Sequence, residues 1–336
     1  MVCDTPAANP GKHGIADKQP EEFDMTRNFS LALAVAAALA AGAAQAQTIR
    51  LMTGPQGGVW VPLGGSLKNM WEKAIPGLQV QTMPGAGIAN VRGVDEGKAD
   101  AGFGNSITSV DGVAGRAPFP KKVEKVCQLA NLYPQYFQVV ALAASGINSI
   151  ADLKGKSIAV QPKGNTAELI SQQILQSVGL NYQSAKVSFV NSYTDAAALL
   201  KDGHAQVFTL GTTIPASSIM DVAAGRDIKM VPVTDEIVAA MRKMNPGYTK
   251  GAIKAGTYPK QDQDVPAIVY SAHLVVSCDL PEQTVYQMAK TMAANVPDMA
   301  AINKAMAGLT PKSMAEDIGV PFHKGAVKFY KEVGAM

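Results

Sequence analysis

A glycine-rich turn at residues 53–65, Thr-Gly-Pro-Gln-Gly-Gly-Val-Trp-Val-Pro-Leu-Gly-Gly, has the residue types of an anion-binding loop. A strand-like run precedes it at residues 48–52, and an amphipathic segment follows it at residues 66–74. Glycines such as Gly57 and Gly58 can adopt positive φ and let a ligand approach the main chain. The start of the following helix leaves backbone N–H groups unpaired beside a partial positive charge. This pattern predicts that main-chain donors bind an anionic group.

The same strand–turn–helix pattern recurs twice more in the first half of the chain. A strand-like run at residues 78–83 ends in Pro-Gly-Ala-Gly at residues 84–87, and another at residues 99–104 is followed by Asn105 and Ser106. An alternation of strands and helices predicts a parallel sheet with ligand contacts at the carboxyl ends of its strands. We therefore expect three turns to converge on one edge of the sheet.

The second half of the chain repeats the pattern. A strand at residues 158–161 precedes Pro-Lys-Gly-Asn-Thr-Ala-Glu at residues 162–168, in which Asn165 and Glu168 have the spacing of a helix capping box. Another strand, residues 206–210, ends in Gly-Thr-Thr. The sequence thus predicts two α/β units.

Extended runs that could connect the two units lie at residues 126–133 and 138–143, which Pro134 separates, and at residues 267–277. The last run is long enough to cross between lobes. We predict an α/β fold of two lobes with a hinged central cleft. The predicted lobes are residues 47–137 with 265–336, and residues 138–264.

Residues at these turns are the candidate ligand contacts. We expect main-chain N–H groups and neutral polar side chains to hold a carboxylate, Trp60 and Tyr136 to cover apolar parts of the solute, and Lys163 to add a charge-assisted contact. The candidate ligand-binding residues are Gly57, Gly58, Val59, Trp60, Gly87, Asn90, Asn105, Ser106, Tyr136, Lys163, Asn165, Thr166, Thr212 and Thr213.

Several of these residues also have purely structural explanations. Asn165 has the position of a helix cap, Asn90 could bond back to its own turn, and Trp60 could belong to the core. Thr166 could be an ordinary first-turn residue, and Lys163 a solvated loop lysine. The sequence leaves these alternatives open.

The beginning of the chain has the features of an export signal. Residues 25–40 combine a basic start with an apolar run, and residues 44–46, Ala-Gln-Ala, resemble a signal-peptidase site. The apolar run is too short for a membrane span. We predict a signal peptide at residues 25–46 with cleavage before Gln47, and we interpret residues 1–24 as an extension that is not native or is wrongly included.

The composition of the chain bears on the kinds of partner that it could bind. The 336-residue chain is 47% hydrophobic and 17% charged, and without residues 1–46 it has 27 basic and 22 acidic residues, a net charge of +5. No run of Lys and Arg suggests a nucleic-acid partner. Cys127 and Cys278 could pair in an exported protein. Because both lie in apolar, strand-like runs, we favour buried, unpaired thiols.

An enzyme is the rival interpretation. His204, His273 and His323 are far apart and have no metal-ligand spacing, and the sequence has no Gly-x-Ser-x-Gly motif. Two-lobed α/β folds also host enzymes, so the fold alone does not exclude catalysis. We expect a binding protein without catalytic residues, metal or cofactor.

The motifs together resemble a known family. The first turn is similar to the signature Thr-Gly-Gly-Thr-Gly-Gly-Val-Tyr-Tyr-Pro-Leu-Gly of the TAXI-type solute-binding proteins of TRAP transporters. The resemblance spans residues 48–334. Further matches, in the same order, are Asn90-Val-Arg, Glu96-Gly-Lys-Ala-Asp100, Asp152-Leu-Lys-Gly-Lys, Tyr258-Pro, Asp264-Val-Pro266 and Asp279-Leu-Pro281.

This resemblance implies a periplasmic protein of the two-lobe periplasmic-binding-protein type. It would close on a small carboxylate, such as glutamate, another amino acid, a 2-oxoacid or a dicarboxylate, and deliver it to the membrane permease subunits of a TRAP transporter. A periplasmic protein that presents its ligand to a sensor kinase is an alternative. The first turn departs from the signature at Pro55, Gln56, Trp60 and Val61, and residues 163–168 depart from the Pro-Gly-Ser-Gly-Thr-Glu pattern of the family. These departures lie in two turns that are expected to face the ligand.

Overall fold

The computed structural model describes residues 47–245 and 247–336. The predicted extension at residues 1–24, the signal peptide at residues 25–46 and its cleavage site lie outside the described residues. Across the described ranges, no helix combines the length and the apolar character needed to cross a bilayer.

Strands and helices alternate along most of the chain. The strands are β1 (Gln47–Met52), β2 (Leu78–Met83), β3 (Ala101–Asn105), β4 (Val126–Leu142), β5 (Ser157–Val160), β6 (Lys186–Phe189), β7 (Val207–Thr212), β8 (Ile228–Met230), β9 (Thr249–Ile253) and β10 (Val265–Ser277). The helices are α1 (Trp60–Ala74), α2 (Gly87–Asp95), α3 (Ser106–Ala114), α4 (Thr166–Ser177), α5 (Tyr193–Lys201), α6 (Ser217–Ala223), α7 (Asp235–Met244), α8 (Glu282–Ala294), α9 (Val296–Ile302), α10 (Pro311–Met314) and α11 (Lys324–Glu332). Short 3-10 turns lie at Ala143–Ser145, Ile150–Leu153, Tyr182–Ser184 and Lys304–Met306.

One mixed sheet runs through two lobes. Its strand order is β2-β1-β3-β10-β4-β7-β5-β6, with β8 paired to β4 and β9 paired to β10. The outer strands are parallel in each lobe, as the alternation of strands and helices predicts. The two central strands, β4 and β10, are antiparallel to each other and connect the lobes. The predicted two-lobe α/β fold is confirmed.

Strand β4 is one continuous strand of 17 residues, which corrects the prediction of two strands separated by Pro134. Pro134 lies opposite Ser271 in the β4–β10 ladder, and the N–H of Ser271 donates to Ser106 Oγ at 3.1 Å. On the other edge of β4, pairing with β7 begins only at Tyr136. The ladder therefore accommodates a residue without an N–H at this point, and Pro134 does not end the strand.

Along β4 and β10, the packing changes from the core of one lobe to the core of the other near Pro134. On β4, residues up to Tyr133 pack in the core of the first lobe, whereas Phe137 packs in the core of the second. On β10, Tyr270 packs in the second core and Ala272 in the first. Both strands thus cross between the lobes near Pro134. The division of the chain at residues 137/138 and 264/265 stays a prediction.

The last helices return to the first lobe. Helices α8 and α11 pack together, with the rings of Tyr286 and Phe329 in edge-to-face contact at 6.0 Å. The hydroxyl of Tyr330 donates to the carbonyl oxygen of Leu129 on β4 at 2.9 Å. These contacts anchor the end of the chain to one of the crossing strands.

Cys127 and Cys278 form a disulfide, with their Cα atoms 5.1 Å apart, and the prediction of unpaired thiols is wrong. The antiparallel register places Val276 of β10 opposite Cys127 of β4, so Cys278, just beyond the end of β10, lies beside its partner. A Cα separation in this range permits the bond without backbone movement. The pair joins both crossing strands at their first-lobe ends.

Two further differences concern element boundaries. Helix α1 begins at Trp60, six residues before the predicted amphipathic segment, so Gly64 and Gly65 belong to the helix and not to the turn. Pro62 fits there because the first turn of a helix needs no intrahelical N–H donor. Residues 245–264 contain three glycines and two prolines, a composition that favours an irregular connection, but strand β9 lies within this segment.

Candidate ligand-binding site

A cavity lies between the two lobes, at the carboxyl ends of the parallel strands. With its open mouth included, it has an empty volume of about 350 Å³. Both lobes and both crossing strands contribute to its wall. The lining residues are Pro55, Gly58, Val59, Trp60, Gly87, Asn105, Gln135, Asn165, Ala167, Tyr193, Gly211, Thr212 and Tyr270.

Five helices begin at this cavity. Val59, Asn105 and Asn165 are the N-cap residues of α1, α3 and α4, and Gly87 and Tyr193 are the first residues of α2 and α5. The start of a helix carries unpaired N–H groups and a partial positive charge. In the described part of the chain, the N-cap residues of α1, α2 and α3 make no side-chain capping hydrogen bond. The N-termini of α1 and α3 are therefore open to a ligand, whereas in α2 the N–H of Ala89 already donates to the carbonyl oxygen of Gly164. The cavity favours negative charge.

Buried polar groups around the cavity lack partners within the described chain. They are Trp60 Nε1 and Asn105 Oδ1, both on residues of the cavity wall. The buried hydroxyl of Tyr133, which does not line the cavity, lies close to the lining residues Trp60 and Gln135, and burial raises its pKa, so it keeps its proton. A buried polar group without a partner costs about 1–3 kcal/mol. A ligand or ordered water is the expected partner for Trp60 Nε1 and Asn105 Oδ1.

All thirteen described residues that line the cavity are neutral. Glu168 follows the lining residue Ala167 in sequence, but its side chain accepts a hydrogen bond from the hydroxyl of Tyr182 at 3.0 Å. Burial raises the pKa of Glu168. The electrostatic character of the cavity therefore comes from helix N-termini and neutral dipoles.

Hydrogen bonds join the lobes on either side of the cavity. The N–H of Tyr193 donates to the carbonyl oxygen of Gln56 at 3.0 Å, and the N–H of Ala89 donates to that of Gly164 at 3.1 Å. The buried hydroxyls of Thr108 and Thr166 are 3.1 Å apart. The lobes are thus in direct contact, and the cleft is closed around the cavity.

Comparison with known proteins places the chain in a family. The sequence model of the NMT1-like family matches residues 51–334, which is most of the chain. The chain belongs to the NMT1-like family.

Solved structures resemble this NMT1-like protein to different degrees. PhnD1 from Prochlorococcus marinus, solved in complex with methylphosphonate, superposes with a TM-score of 0.52 at 12% identity, over 87% of this chain and 100% of that one. The alkanesulfonate-binding protein SsuA from Xanthomonas axonopodis pv. citri, bound to MOPS, gives a TM-score of 0.45 at 15% identity over 86% and 85% of the chains. The periplasmic aliphatic sulphonate binding protein SsuA from Escherichia coli gives 0.42 at 12% identity over 84% and 78%. The fold is that of the two-lobe periplasmic binding proteins.

The cavity brings together seven of the fourteen candidate residues of the NMT1-like protein. These are Gly58, Val59, Trp60, Gly87, Asn105, Asn165 and Thr212. Asn165 also caps α4, because its Oδ1 accepts from the N–H of Ala167 at 2.8 Å. Trp60 is both a core and a cavity residue, since its ring stacks on Phe103 at 5.4 Å and the residue lines the cavity.

Two candidates, Gly57 and Thr213, lie in an outer groove that shares Gly58 and Thr212 with the cavity. Gly57 has a φ of 79°, as expected for a turn glycine. Lys304 also lines this groove and carries a positive charge.

Three candidates make hydrogen bonds within the protein. The amide of Asn90 donates to the carbonyl oxygens of Thr53 at 2.7 Å and Phe103 at 2.8 Å, and its Oδ1 accepts from the N–H of Ala86 at 2.9 Å. Ser106 bonds Ser271, as described above, and Thr166 bonds Thr108. Asn90 therefore connects the end of β1 and strand β3 to the start of α2.

The remaining candidates, Tyr136 and Lys163, lie outside the cavity wall. Tyr136 packs against the core of the second lobe. The ammonium group of Lys163 lies 5.9 Å from the centre of the Phe189 ring, a cation–π contact.

Sequence reasoning missed six lining residues: Pro55, Gln135, Ala167, Tyr193, Gly211 and Tyr270. Tyr193 had a detectable signal, because Ser192 and Asp195 mark the start of a helix after a strand. Gln135 and Tyr270 lie within long strands, where no local pattern distinguishes a cavity residue from its neighbours.

A buried Ser–His pair bears on the enzyme alternative. Ser109 Oγ lies 2.7 Å from His273 Nε2, and burial lowers the pKa of His273 to about 3. The other ring nitrogen has no partner within the described residues. Since His273 is fully buried, a substrate cannot reach this pair, and we interpret it as structural. Residues 47–245 and 247–336 contain no group of three or more potential metal ligands.

Proposed function

We propose that this protein is an extracytoplasmic solute receptor, which binds a small carboxylate-bearing solute between its lobes and delivers it to a TRAP-type membrane permease. The observation that carries the proposal is the convergence of five helix N-termini on one neutral cavity. Such an arrangement stabilises a buried anion without a basic side chain. Amino acids such as glutamate, 2-oxoacids and dicarboxylates are the candidate solutes.

The ligand contacts in this proposal are main-chain N–H groups at the starts of α1, α2 and α3. The unpartnered side-chain groups of Trp60 and Asn105 add hydrogen bonds from the first lobe, and Asn165 and Thr212 add them from the second. Because the wall contains residues of both lobes, a ligand bound there stabilises the closed cleft over an open one.

An exported location is part of the proposal. The disulfide between Cys127 and Cys278 supports it, because disulfides persist in oxidising compartments such as the periplasm. The predicted signal peptide would direct the export of the chain. Enzymatic activity is not part of the proposal, and the inaccessible Ser109–His273 pair is consistent with that view.

The first test is thermal-shift screening of residues 47–336 with amino acids, 2-oxoacids and dicarboxylates. A solute at a hundredfold excess over its Kd should stabilise the protein by about 2.7 kcal/mol. The matched control is the Gly58→Val variant, which should melt normally but give no shift. Failure of all small carboxylates to bind would refute the proposed function. Delivery requires a second measurement, namely ligand-dependent uptake in vesicles that contain a TRAP permease.

A further inference from the structure

We propose that the cavity selects acids that carry a neutral oxo or hydroxy substituent beside the carboxylate, and discriminates against the corresponding α-amino acids. This inference rests on the proposed function and narrows its substrate class. It comes from the charges and the polar groups of the cavity wall.

The first argument concerns the ammonium group of an amino acid. At pH 7 this group is positively charged and is only one carbon away from the carboxylate, so both groups must enter the same cavity. All thirteen described lining residues are neutral, and none supplies a carboxylate to pair with an ammonium group. A buried ion without a partner is strongly unfavourable.

The second argument concerns the helix N-termini. The partial positive charges at the starts of α1, α2, α3, α4 and α5 attract a carboxylate, and by the same interaction they repel an ammonium group. The electrostatic cost of the amino group is therefore added to its desolvation cost. A neutral oxo or hydroxy group at the same carbon has neither cost.

The only acidic side chain adjacent in sequence to a described lining residue is unsuited to act as a counter-ion. Glu168 is engaged by the hydroxyl of Tyr182, and Lys163 lies close enough to affect its ionisation. The positive charge of Lys163 further reduces any attraction of Glu168 for a cation. Glu168 therefore does not compensate for the neutral wall.

Neutral polar groups fit the substituent of an oxo or hydroxy acid. Trp60 Nε1, on the cavity wall, is a donor without a partner among the described residues. The amide of Asn105 has a donor side and an acceptor side, whichever way it is turned. An oxo oxygen can accept from the donors, and a hydroxyl group can in addition donate to Asn105. Each buried polar group that gains a hydrogen-bond partner strengthens the binding of the acid that supplies this partner.

The test uses acids that differ only at the second carbon. Pyruvate, L-lactate and L-alanine form one set, and 2-oxoglutarate, 2-hydroxyglutarate and L-glutamate form another. The affinities are measured by calorimetry on residues 47–336 at pH 7. In whichever set binds, the oxo or hydroxy acid should bind at least about tenfold more tightly than the amino acid of the same set. An amino acid that binds as tightly as its oxo analogue would overturn the inference but leave the proposed function intact. If neither set binds, and the wider screen also gives no ligand, both proposals are wrong.

Two variants test the electrostatic reason directly. Gln135→Glu places a carboxylate of similar shape in the cavity wall. Asn165→Asp does so while keeping a good helix cap. Each should shift the ratio of amino-acid to oxo-acid affinity toward the amino acid by at least about tenfold. The control is Gln183→Glu, an exposed residue outside the cavity, which should leave the ratio unchanged. If both cavity variants fold, as judged by their melting curves, and neither changes the ratio, the inference is wrong.

Discussion

The backbone N–H of Tyr193 donates a hydrogen bond to the carbonyl oxygen of Gln56 at 3.0 Å, which connects the start of α5 in the second lobe to the first glycine turn of the first lobe. Because this bond spans the cleft, an open protein must break it. We predict that the protein without ligand is more open, and that saturating ligand lowers the radius of gyration measured by solution scattering. An unchanged radius at saturation would contradict a hinged closure about β4 and β10.

Gly58 lines the cavity from the first glycine turn of the first lobe. A Cβ atom at this position would lie 3.1 Å from the carbonyl oxygen of Pro55 and 3.4 Å from the ring of Tyr193, and the larger side chain of valine extends further into the cavity. We predict that Gly58→Val abolishes solute binding in calorimetry without unfolding the protein. Gly65→Ala is the matched control, because a Cβ atom at Gly65 has no neighbour within 4 Å. If Gly58→Val binds solute with near-native affinity, the first turn is not part of the ligand-binding site.

Asn90 positions loops in the structure and does not line the cavity. Its removal in Asn90→Ala leaves the carbonyl oxygens of Thr53 and Phe103 and the N–H of Ala86 without their partner. We expect the free energy of unfolding in urea to fall by about 2–4 kcal/mol. Solute affinity should fall as well, because the turns lose their support. A variant with native stability but no binding would instead indicate that Asn90 contacts the ligand.

The disulfide between Cys127 and Cys278 closes a loop with a sequence separation of 151 residues. Restricting such a long loop in the unfolded chain stabilises the folded protein by up to about 5 kcal/mol. The double variant Cys127→Ser/Cys278→Ser should therefore unfold at a much lower urea concentration. Addition of a reductant should destabilise the wild-type protein and leave the double variant unaffected. Equal sensitivity of both proteins would show that the pair contributes little.

His273 should make stability depend on pH. Burial lowers its pKa from 6.5 to about 3 in the folded protein, so between these values the unfolded chain binds a proton that the folded protein does not. The stability that neutral His273 provides is complete above pH 6.5 and is lost as the pH falls toward 3, by about 1.4 kcal/mol per pH unit.

Urea unfolding between pH 7 and pH 5 should detect this dependence. The variant His273→Gln removes the group and should flatten the profile, whereas His204→Gln, at an exposed position, is the control. Identical profiles for the wild-type protein and His273→Gln would rule out this source of acid sensitivity.

Local patterns in the sequence predicted much of what forms the cavity. Gly58, Gly87 and Asn165 each lie where a strand ends and a helix begins, and the rule that parallel strands present these ends at one edge brings them together. The helix starts were recognisable because glycines and an Asn cap mark them. The convergence of the turns thus follows from residues that are close in sequence.

The rest of the cavity depends on strand register, which local patterns do not contain. Gln135 and Tyr270 face each other in the β4–β10 ladder, and only that register places both at the crossing between the lobes. The pairing of Cys127 with Cys278 has the same cause. The sequence pattern at Pro134 also favoured a strand end, but Ser271 and the late start of β7 remove the need for an N–H there.

The long separation between Cys127 and Cys278 also has a consequence for biogenesis. At a synthesis rate of about 5–20 residues per second, the second thiol is made about 8–30 seconds after the first. Until then Cys127 has only Cys3, which the predicted cleavage would remove, as another thiol on the same chain. The covalent bond that joins the two crossing strands therefore becomes possible only when most of the polypeptide has been made, so the oxidation of this chain is a late event in its maturation.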